Sequence, residues 1–337
     1  MPALRHVVVV TAAGHEVGLG HAVRLSGLVA RLATPHTLSV CVRGDLALVA
    51  PLFPGATLVP LVADGGPDGL WFAAPPDLVL VDLPSHPAHQ ARPFAAWRAF
   101  GVPLVAVDDL GGDVPVDLVV NGTVPGAHHA YSPGPRVFAG PEYALLRAPF
   151  SVTPWRAPAD RAVTIVIGGG DAARRWAHVL TGPALDRSTW GRTTMVVGAA
   201  FPERDRLRAP CALARITLRH GLDAAELATL LADSAVALVT GGMIVYEALA
   251  VGTPTVAFPL VDDMRAEVGW LAARGACLDL GEDGGFSSAV VKDAVRSLLD
   301  DPALAATMSA CARSLIDGRG AERSAKLVDE LLAPNAR

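Results

Sequence analysis

The stretch VALVTGGMIVYEALAVGTPTVAF, residues 236–258, decides the fold. It begins with a β-branched run at 236–239, passes through a glycine pair into an apolar segment of helical length, and ends in a second short run at 255–258. Two short apolar strands joined by a helix are typical of a parallel βαβ unit, because parallel strands need a long crossover connection. This stretch therefore predicts an α/β fold with a parallel sheet.

The same alternation continues along the chain. Further strands are predicted at His6–Val10, Leu38–Val42, Leu78–Val81, Leu104–Val107, Leu118–Val120, Val163–Ile167, Thr194–Val197 and Leu213–Leu218. Helices are predicted at His21–Leu32, Ala224–Ala232, Ser287–Leu299, Ala303–Ile316 and Ala321–Leu332. Prolines gather between Gly134 and Pro158, which is typical of a hinge. We predict two Rossmann-like domains, 1–150 and 151–337, that face each other across a cleft, with the last helix free to pack back on the first domain.

Composition excludes several classes of function. Hydrophobic residues make up 51% of the chain, charged residues 18%, and the formal net charge is −5, so no basic surface for nucleic acid or an anionic membrane is expected. No apolar run reaches the roughly 18 residues of a transmembrane helix, and no signal peptide is visible. Four cysteines without a CxxC pair predict reduced thiols (Cys41, Cys211, Cys277 and Cys311). We expect a soluble, cytoplasmic protein, monomeric or homodimeric.

The first predicted strand leads into a glycine-bearing loop that carries titratable side chains. Gly18 and Gly20 permit close approach of a ligand to the backbone, and a helix N-terminus favours anionic groups. His21 at this helix start is either a helix-capping residue or a general base, since histidine titrates near neutral pH. His15 and Glu16 lie in the same loop and are either exposed or assist that base.

Polar residues follow several other strands of the first half. Asp82, Asp108-Asp109 and Asn121 each stand at the end of an apolar run. Open α/β sheets bind ligands at the carboxyl ends of their strands, so we expect these residues near the ligand or in a structural role beside it.

The second half carries two glycine motifs suited to phosphates. Gly168-Gly169-Gly170 follows a buried strand, and Gly241-Gly242 opens a helix. Backbone amides at such places suit a pyrophosphate. Glu247 lies about one and a half turns into that helix, where its carboxylate could accept two ribose hydroxyls.

A metal site is not predicted. The carboxylate pairs lack nearby histidine or cysteine partners (Asp108-Asp109, Asp262-Asp263 and Asp300-Asp301). Carboxylates alone could still hold Mg²⁺, so that alternative stays open at this stage.

Four segments of the chain, in the same order, resemble motifs of the PseG/SpsG group of nucleotide-sugar enzymes, relatives of MurG with the GT-B fold. These segments are Gly18–Arg24 (GLGHAVR), Gly140–Arg147 (GPEYALLR), Gly241–Pro254 (GGMIVYEALAVGTP) and Leu315–Arg323 (LIDGRGAER). The resemblance thus spans residues 18 to 323 and implies two Rossmann-like domains of the GT-B type.

The resemblance also implies ligands and roles. It implies a UDP-sugar whose nucleotide is held mainly by the second half, with uridine near His220 and Leu222 and ribose on Glu247. Met243, which follows the glycine pair, is also expected to contact the donor. PseG is implied to hydrolyse the anomeric C–O bond with inversion, the histidine that matches His21 activating water. No cofactor or metal is implied; the UDP-sugar is a co-substrate.

Three places depart from the family pattern. Val10-Thr11-Ala12 replaces an Arg-x-Asp element, His86 and its neighbours replace a tyrosine after the third strand, and Asp262-Asp263-Met264 replaces Asp-Asn-Gln. With the nucleotide-binding motifs retained, these departures predict a changed sugar or acceptor. The expected sugar and acceptor contacts are Asp82, His86, Asp109, Asp262, Asp263 and Met264.

The leading hypothesis is an inverting glycosyltransferase that joins the sugar of a UDP donor to a small polar acceptor, for example a nucleobase, in natural-product biosynthesis. The first alternative is a PseG-like hydrolase with water as the acceptor. The second is a nucleotide-sugar binding protein without catalysis, since one fold hosts many functions.

Overall fold

The structure is a computed structural model that describes two compact units. The described residues are 4–61, 72–84, 94–124, 130–168, 174–182, 185–201, 204–260, 262–281 and 288–333. Unit 1 comprises Met1–Arg147 together with Arg319–Arg337, and unit 2 comprises Ala148–Gly318. The predicted boundary at residue 150 falls close to this division, but the C-terminal segment belongs to unit 1.

The described part of unit 1 contains a parallel sheet in the order β3-β2-β1-β4-β5-β6-β7. Its strands are β1 (Arg5–Ala13), β2 (His36–Gly44), β3 (Thr57–Pro60), β4 (Leu78–Asp82), β5 (Leu104–Val107), β6 (Leu118–Asn121) and β7 (Arg136–Ala139). Its helices are α1 (Gly20–Val29), α2 (Leu46–Val49), α3 (Phe94–Arg98) and, from the end of the chain, α12 (Gly320–Leu332), with 3₁₀ turns at Ala50–Leu52 and Pro141–Tyr143.

Unit 2 repeats the plan with a parallel sheet in the order β10-β9-β8-β11-β12-β13 among its described residues. Its strands are β8 (Val163–Ile167), β9 (Thr193–Val197), β10 (Ile216–His220), β11 (Val236–Thr240), β12 (Thr255–Phe258) and β13 (Leu278–Asp279). Its helices are α4 (Pro149–Val152), α5 (Arg174–Thr181), α6 (Arg208–Leu213), α7 (Ala224–Ala232), α8 (Met243–Val251), α9 (Asp262–Ala272), α10 (Ser288–Asp300) and α11 (Pro302–Leu315), with a 3₁₀ turn at Arg204–Leu207. Both sheets have the strand order of Rossmann-like domains.

The runs of valine are explained by burial on both faces of the first sheet. Val7 and Val9 pack in the hydrophobic cluster that contains α1, whereas Val8 and Val10 pack on the opposite face in the cluster of Trp97. Because successive side chains of a strand point to opposite faces, a strand covered on both sides is apolar throughout.

Helix α12 is part of the core of unit 1. Ala325 and Val328 are buried in the cluster of α1, and the carboxylate of Asp329 accepts hydrogen bonds from the backbone N–H groups of Ala33 and Thr34, just beyond the end of α1. The carboxylate thereby satisfies backbone donors that follow the helix.

One local prediction is corrected. The predicted strand Leu213–Leu218 begins three residues later in the structure, since Leu213 ends α6 and Arg215 adopts a positive φ of 56° between helix and strand. The proline-rich segment that was predicted as a hinge contains β7, α4 and the division between the two units. Of the helices in the described part of the chain, none has the length and apolar character needed to cross a membrane.

The start of α12 depends on a glycine. A Cβ at Gly320 would lie 2.2 Å from the carbonyl oxygen of Ala144 and 2.5 Å from the carbonyl carbon of Tyr143. Gly320→Ala is expected to lower the free energy of unfolding by about 1–3 kcal/mol, because backbone must shift to admit the methyl group. Urea unfolding measures this, with Gly14→Ala as control, since a Cβ at Gly14 meets nothing within 4 Å. Equal effects of the two substitutions would contradict the close packing of α12.

Candidate functional site

A buried polar cluster of unit 1 lies where its sheet reverses strand order. β1 and β4 are neighbours in the sheet, while the chain passes from β1 to β2 on one side and from β4 to β5 on the other. In open parallel sheets, ligands bind beyond the carboxyl ends of the strands at this switch point. Here the residues in question are His21, two positions into α1 after β1, and Asp82, the last residue of β4.

The loop between β1 and α1 is short and closed on itself. The backbone N–H of Gly18 donates to the carbonyl oxygen of Gly14 at 2.7 Å, and that of Gly14 donates back at 3.0 Å. Gly18 has a φ of 71°, a left-handed conformation that favours glycine. Gly20 is the first residue of α1, so the loop fixes where His21 stands relative to the end of the sheet.

Asp82 holds both His21 and Arg24. Nδ1 of His21 lies 2.7 Å from one carboxylate oxygen of Asp82. Arg24, one turn further along α1, donates from Nη2 to that same oxygen at 2.7 Å and from Nε to the other oxygen at 2.5 Å. The Asp82 side chain is completely buried, whereas that of His21 is 20% exposed. Asp82 therefore fixes the orientation of the imidazole, and part of the His21 side chain stays accessible to solvent.

Asp109 completes this cluster on its exposed side. Nη1 of Arg24 donates to both carboxylate oxygens of Asp109, at 2.8 and 2.6 Å. Burial alone would lower the pKa of Arg24, but the carboxylates of Asp109 and Asp82 raise it above its ordinary value. Burial alone would raise the pKa of Asp82, but Arg24 and His21 hold it below its ordinary value. Both groups are thus ionised at neutral pH.

This arrangement selects one tautomer of the imidazole. An ionised carboxylate only accepts hydrogen bonds, so the 2.7 Å contact requires the proton of neutral His21 to be on Nδ1. Nη2 of Arg24 also approaches Nδ1, at 3.4 Å, but its shorter bond is to Asp82. Nε2 is then left with a lone pair that can accept a proton, as in other acid–histidine pairs. The geometry is suited to general-base chemistry.

His15 and Glu16 are exposed in the loop, and their assistance to His21 stays a prediction. Within the described residues, the carboxylate that is bonded to His21 is that of Asp82. Asp82 itself was expected to contact the sugar or acceptor, but no part of its side chain is exposed. Its role in this structure is to hold His21 and Arg24. Asp109, with 34% of its side chain exposed, retains a surface for a ligand.

A second network that the sequence did not reveal lies at the ends of β5 and β6. The Tyr131 hydroxyl donates to the Asp108 carboxylate at 2.9 Å and accepts from the Asn121 side-chain amide at 2.8 Å. Burial and the negative charge of Asp108 raise the pKa of Tyr131. Asp108 also accepts from the backbone N–H groups of Leu110 and Gly111, so it shapes the loop after Asp109.

Unit 2 places its glycine motif at the equivalent position. β8 and β11 are neighbours at the switch point of the second sheet. Gly168 follows β8, and a Cβ there would lie 3.8 Å from the Thr240 hydroxyl at the end of β11. Gly241 and Gly242 then lead into α8, and Gly242 has a φ of 84°. The first backbone N–H groups of α8 thus start beyond the end of the sheet, where an anion is favoured.

Met264 packs closely on this glycine pair. A Cβ at Gly241 would lie 2.9 Å from both Cβ and Sδ of Met264, and one at Gly242 would lie 3.3 Å from its Cε. The predicted sugar contact therefore lies against the start of α8. Glu247 is 5% exposed, on a helix that is buried on nearly all sides. Buried glutamates are uncommon, and its predicted contact with ribose stays a prediction.

The predicted uridine residues stand at the edge of the second sheet. His220 ends β10, and Nη1 of Arg204 lies 2.8 Å from its Nδ1. Burial, and then the charge of Arg204, lower the pKa of His220. Leu222 is half-buried in the following turn, before α7. Their contact with uridine stays a prediction.

Some predicted site residues lie outside what the structure describes. These are His86, Gly169 and Gly170 as whole residues, and the side chains of Asp262 and Asp263. Met243, by contrast, is described as the first residue of α8.

Within the described ranges, no group of three or more histidine, cysteine, aspartate or glutamate side chains is placed to hold a metal ion. The four cysteines are free thiols, and burial raises the pKa of Cys41 and Cys277 to about 12, which makes poor nucleophiles of them.

Comparison with known sequences gives one distant relative. No model of a known protein family matches the chain. Over 204 residues the chain is 24% identical to the spore coat polysaccharide biosynthesis protein SpsG of Bacillus subtilis (strain 168). The match covers 58% of this chain, which spans 59% of the length of that protein.

Solved structures of the same fold are more numerous. The calicheamicin glycosyltransferase CalG4 matches with a TM-score of 0.62 at 16% identity, over 99% of this chain and 100% of that chain. MurG of Acinetobacter baumannii matches with a TM-score of 0.63 at 15% identity, over 97% of this chain and 99% of that chain. A UDP-N-acetylglucosamine 2-epimerase matches with a TM-score of 0.58 at 14% identity, over 98% of this chain and 96% of that chain. The chain therefore has the predicted GT-B fold, which by itself does not select between transfer and epimerisation.

The buried carboxylate gives a stability test. Asp82→Asn is expected to lower the free energy of unfolding by about 1–3 kcal/mol at pH 7, because Arg24 loses one of its two carboxylate partners and keeps the other, Asp109. The folded-state pKa of Asp82 is below its ordinary 3.8. Its ionic stabilisation is thus present above pH 3.8 and is lost as the pH falls through the folded-state pKa.

Urea unfolding of both proteins at pH 7 and near pH 3 measures this difference. The difference in free energy of unfolding between the two proteins should be smaller at the lower pH. Asp160→Asn is the control, since Asp160 is a half-exposed partner of Arg192 and its loss should hardly change stability. A difference that is small at pH 7, or equal at both pH values, would contradict the buried ionised state.

Proposed function

We propose that this chain is a GT-B glycosyltransferase that transfers a sugar from a UDP donor, with inversion and without a metal. The observation that carries the proposal is the bonding of His21 to the buried Asp82 at the switch point of unit 1. The GT-B fold and the similarity to SpsG support a nucleotide-sugar enzyme.

In the proposed reaction, Nε2 of His21 accepts a proton from an O–H or N–H group of the acceptor. The acceptor atom then bonds to the anomeric carbon, and the bond from that carbon to the UDP oxygen breaks, with its electron pair leaving on UDP. Attack on the face of the anomeric carbon opposite the UDP oxygen inverts the configuration of that carbon. Asp82 stabilises the imidazolium that forms, as a buried carboxylate does in other acid–histidine pairs.

The donor is proposed to be held by unit 2. The backbone N–H groups at the start of α8, after Gly241 and Gly242, would stabilise the negative charge of the leaving diphosphate. Glu247 would accept the ribose hydroxyls, and the turn at His220 and Leu222 would contact the uracil ring.

The acceptor is proposed to be small and polar, such as a nucleobase, in natural-product biosynthesis. Support comes from Asp109, whose exposed carboxylate is held by Arg24 and could accept a hydrogen bond from an amine or hydroxyl. The similarity in fold to a calicheamicin glycosyltransferase is in line with such a setting.

Hydrolysis is the second candidate, because the same histidine–aspartate pair could deprotonate water. One assay separates the candidates. The full chain is incubated with UDP-glucuronate or UDP-N-acetylglucosamine, with and without a pool of nucleobases that includes cytosine, in the presence of EDTA. UDP release that requires an acceptor supports transfer. Stoichiometric free sugar without acceptor supports hydrolysis, and tight UDP binding without any turnover supports a binding protein.

Two variants test the assigned roles. His21→Ala should lower turnover roughly 100-fold or more, the usual contribution of a general base, while the Kd for UDP stays unchanged. Full turnover by His21→Ala would show that another group acts as the base.

Glu247→Gln should weaken UDP binding roughly tenfold, because a hydrogen bond to a charged group is lost. Calorimetry measures this change in the Kd for UDP.

A further inference from the structure

Arg43 is a cation at the carboxyl edge of the first sheet that the proposed reaction leaves unused. It is the last residue but one of β2 and pairs in register with Ala12 of the neighbouring β1. The next residue must be glycine, since Gly44 has a φ of 117° and a Cβ there would lie 2.1 Å from the carbonyl oxygen of Ala13. The parallel pairing of β2 with β1 through Gly44 holds the backbone of Arg43 at this edge.

The guanidinium crosses toward the strand that carries Asp82. Within the described residues, its hydrogen bond is from Nη2 to the carbonyl oxygen of Pro84, at a long 3.3 Å. Pro84 lies two residues beyond Asp82, the partner of His21. β1 separates β2 from β4, so the ends of those outer two strands are about 10 Å apart. A molecule the size of a monosaccharide or nucleotide base, bound beside His21, can span this distance.

Carboxylates near Arg43 are already engaged elsewhere. Asp45, two residues along the chain, accepts from the backbone N–H of Ala47 and caps α2. Both oxygens of Asp82 are occupied by Arg24 and His21. Burial lowers the pKa of Arg43. A guanidinium has five N–H donors, and among the described residues one long bond to a carbonyl leaves most of those of Arg43 for a ligand.

We propose that Arg43 binds an anionic group, a carboxylate or a phosphate, of the small molecule held beside His21. The planar guanidinium matches either group through paired hydrogen bonds. This assignment rests on the proposed function for the presence of that molecule. It adds the inference that the molecule carries a negative charge. It makes Arg43 a specificity-determining residue rather than a catalytic one.

The test uses binding and does not depend on turnover. The full chain, labelled with ¹⁵N, is titrated with inorganic phosphate, with glucuronate and with glucose, and the backbone amides of Gly44 and Asp45 are followed by NMR. Saturable shifts with one or both anions, and none with glucose, are expected. The affinities for phosphate and for glucuronate are then compared, and the tighter of the two shows whether the site binds a phosphate or a carboxylate. Arg43→Gln should weaken that binding roughly tenfold or more, and Arg43→Lys should restore part of it.

Arg98→Gln is the matched control. Arg98 lies in the same unit, half-exposed and beside Asp117, so its loss should leave the binding unchanged. The absence of saturable shifts with either anion would overturn the assignment. Equal weakening by Arg98→Gln and Arg43→Gln would also overturn it and leave an adventitious ion only. If the anions bind as expected while no UDP-sugar is turned over, the proposed function fails and the Arg43 site stands.

Discussion

The rest of the site depends on one buried carboxylate. Asp82 has no exposed surface, yet its oxygens receive two hydrogen bonds from Arg24 and one from His21. Burying such a charge is costly unless it is paired and hydrogen-bonded, so its neighbours are constrained as strongly as it is. The tautomer of His21, the proposed base, depends on this ion pair, because Asp82 fixes which nitrogen of the imidazole carries the proton.

Both units use the same structural solution for different tasks. In each, the strand order reverses between two neighbouring parallel strands, and the turn after one of these strands leads into a helix. In unit 1, a histidine that is hydrogen-bonded to a carboxylate lies at the start of that helix. Unit 2 has Gly241 and Gly242 there, covered by Met264, and thereby presents backbone donors instead of side chains. In the proposed reaction, proton transfer would fall to unit 1 and charge stabilisation to unit 2.

The sequence predicted the fold well because the strands are buried on both faces, which makes runs such as Val7–Val10 unmistakable. It also placed His21 at the start of α1, because a strand, a glycine loop and a helix leave few places for that residue. It did not predict that Asp82 is buried and bonded to His21 and Arg24, because these contacts join residues far apart in the chain. A one-dimensional pattern places a residue at a strand end, but which side chains meet there is decided by packing, as it is for Tyr131 with Asp108.

The central claim, that Asp82 holds neutral His21 with its proton on Nδ1, is tested most directly by ¹⁵N NMR of the imidazole. The His21 signals are assigned by their loss in His21→Gln. In the neutral ring, Nδ1 should be protonated and Nε2 unprotonated, and this preference should be lost in Asp82→Asn. A ring protonated at Nε2, or a tautomer unaffected by the loss of the Asp82 charge, would contradict it.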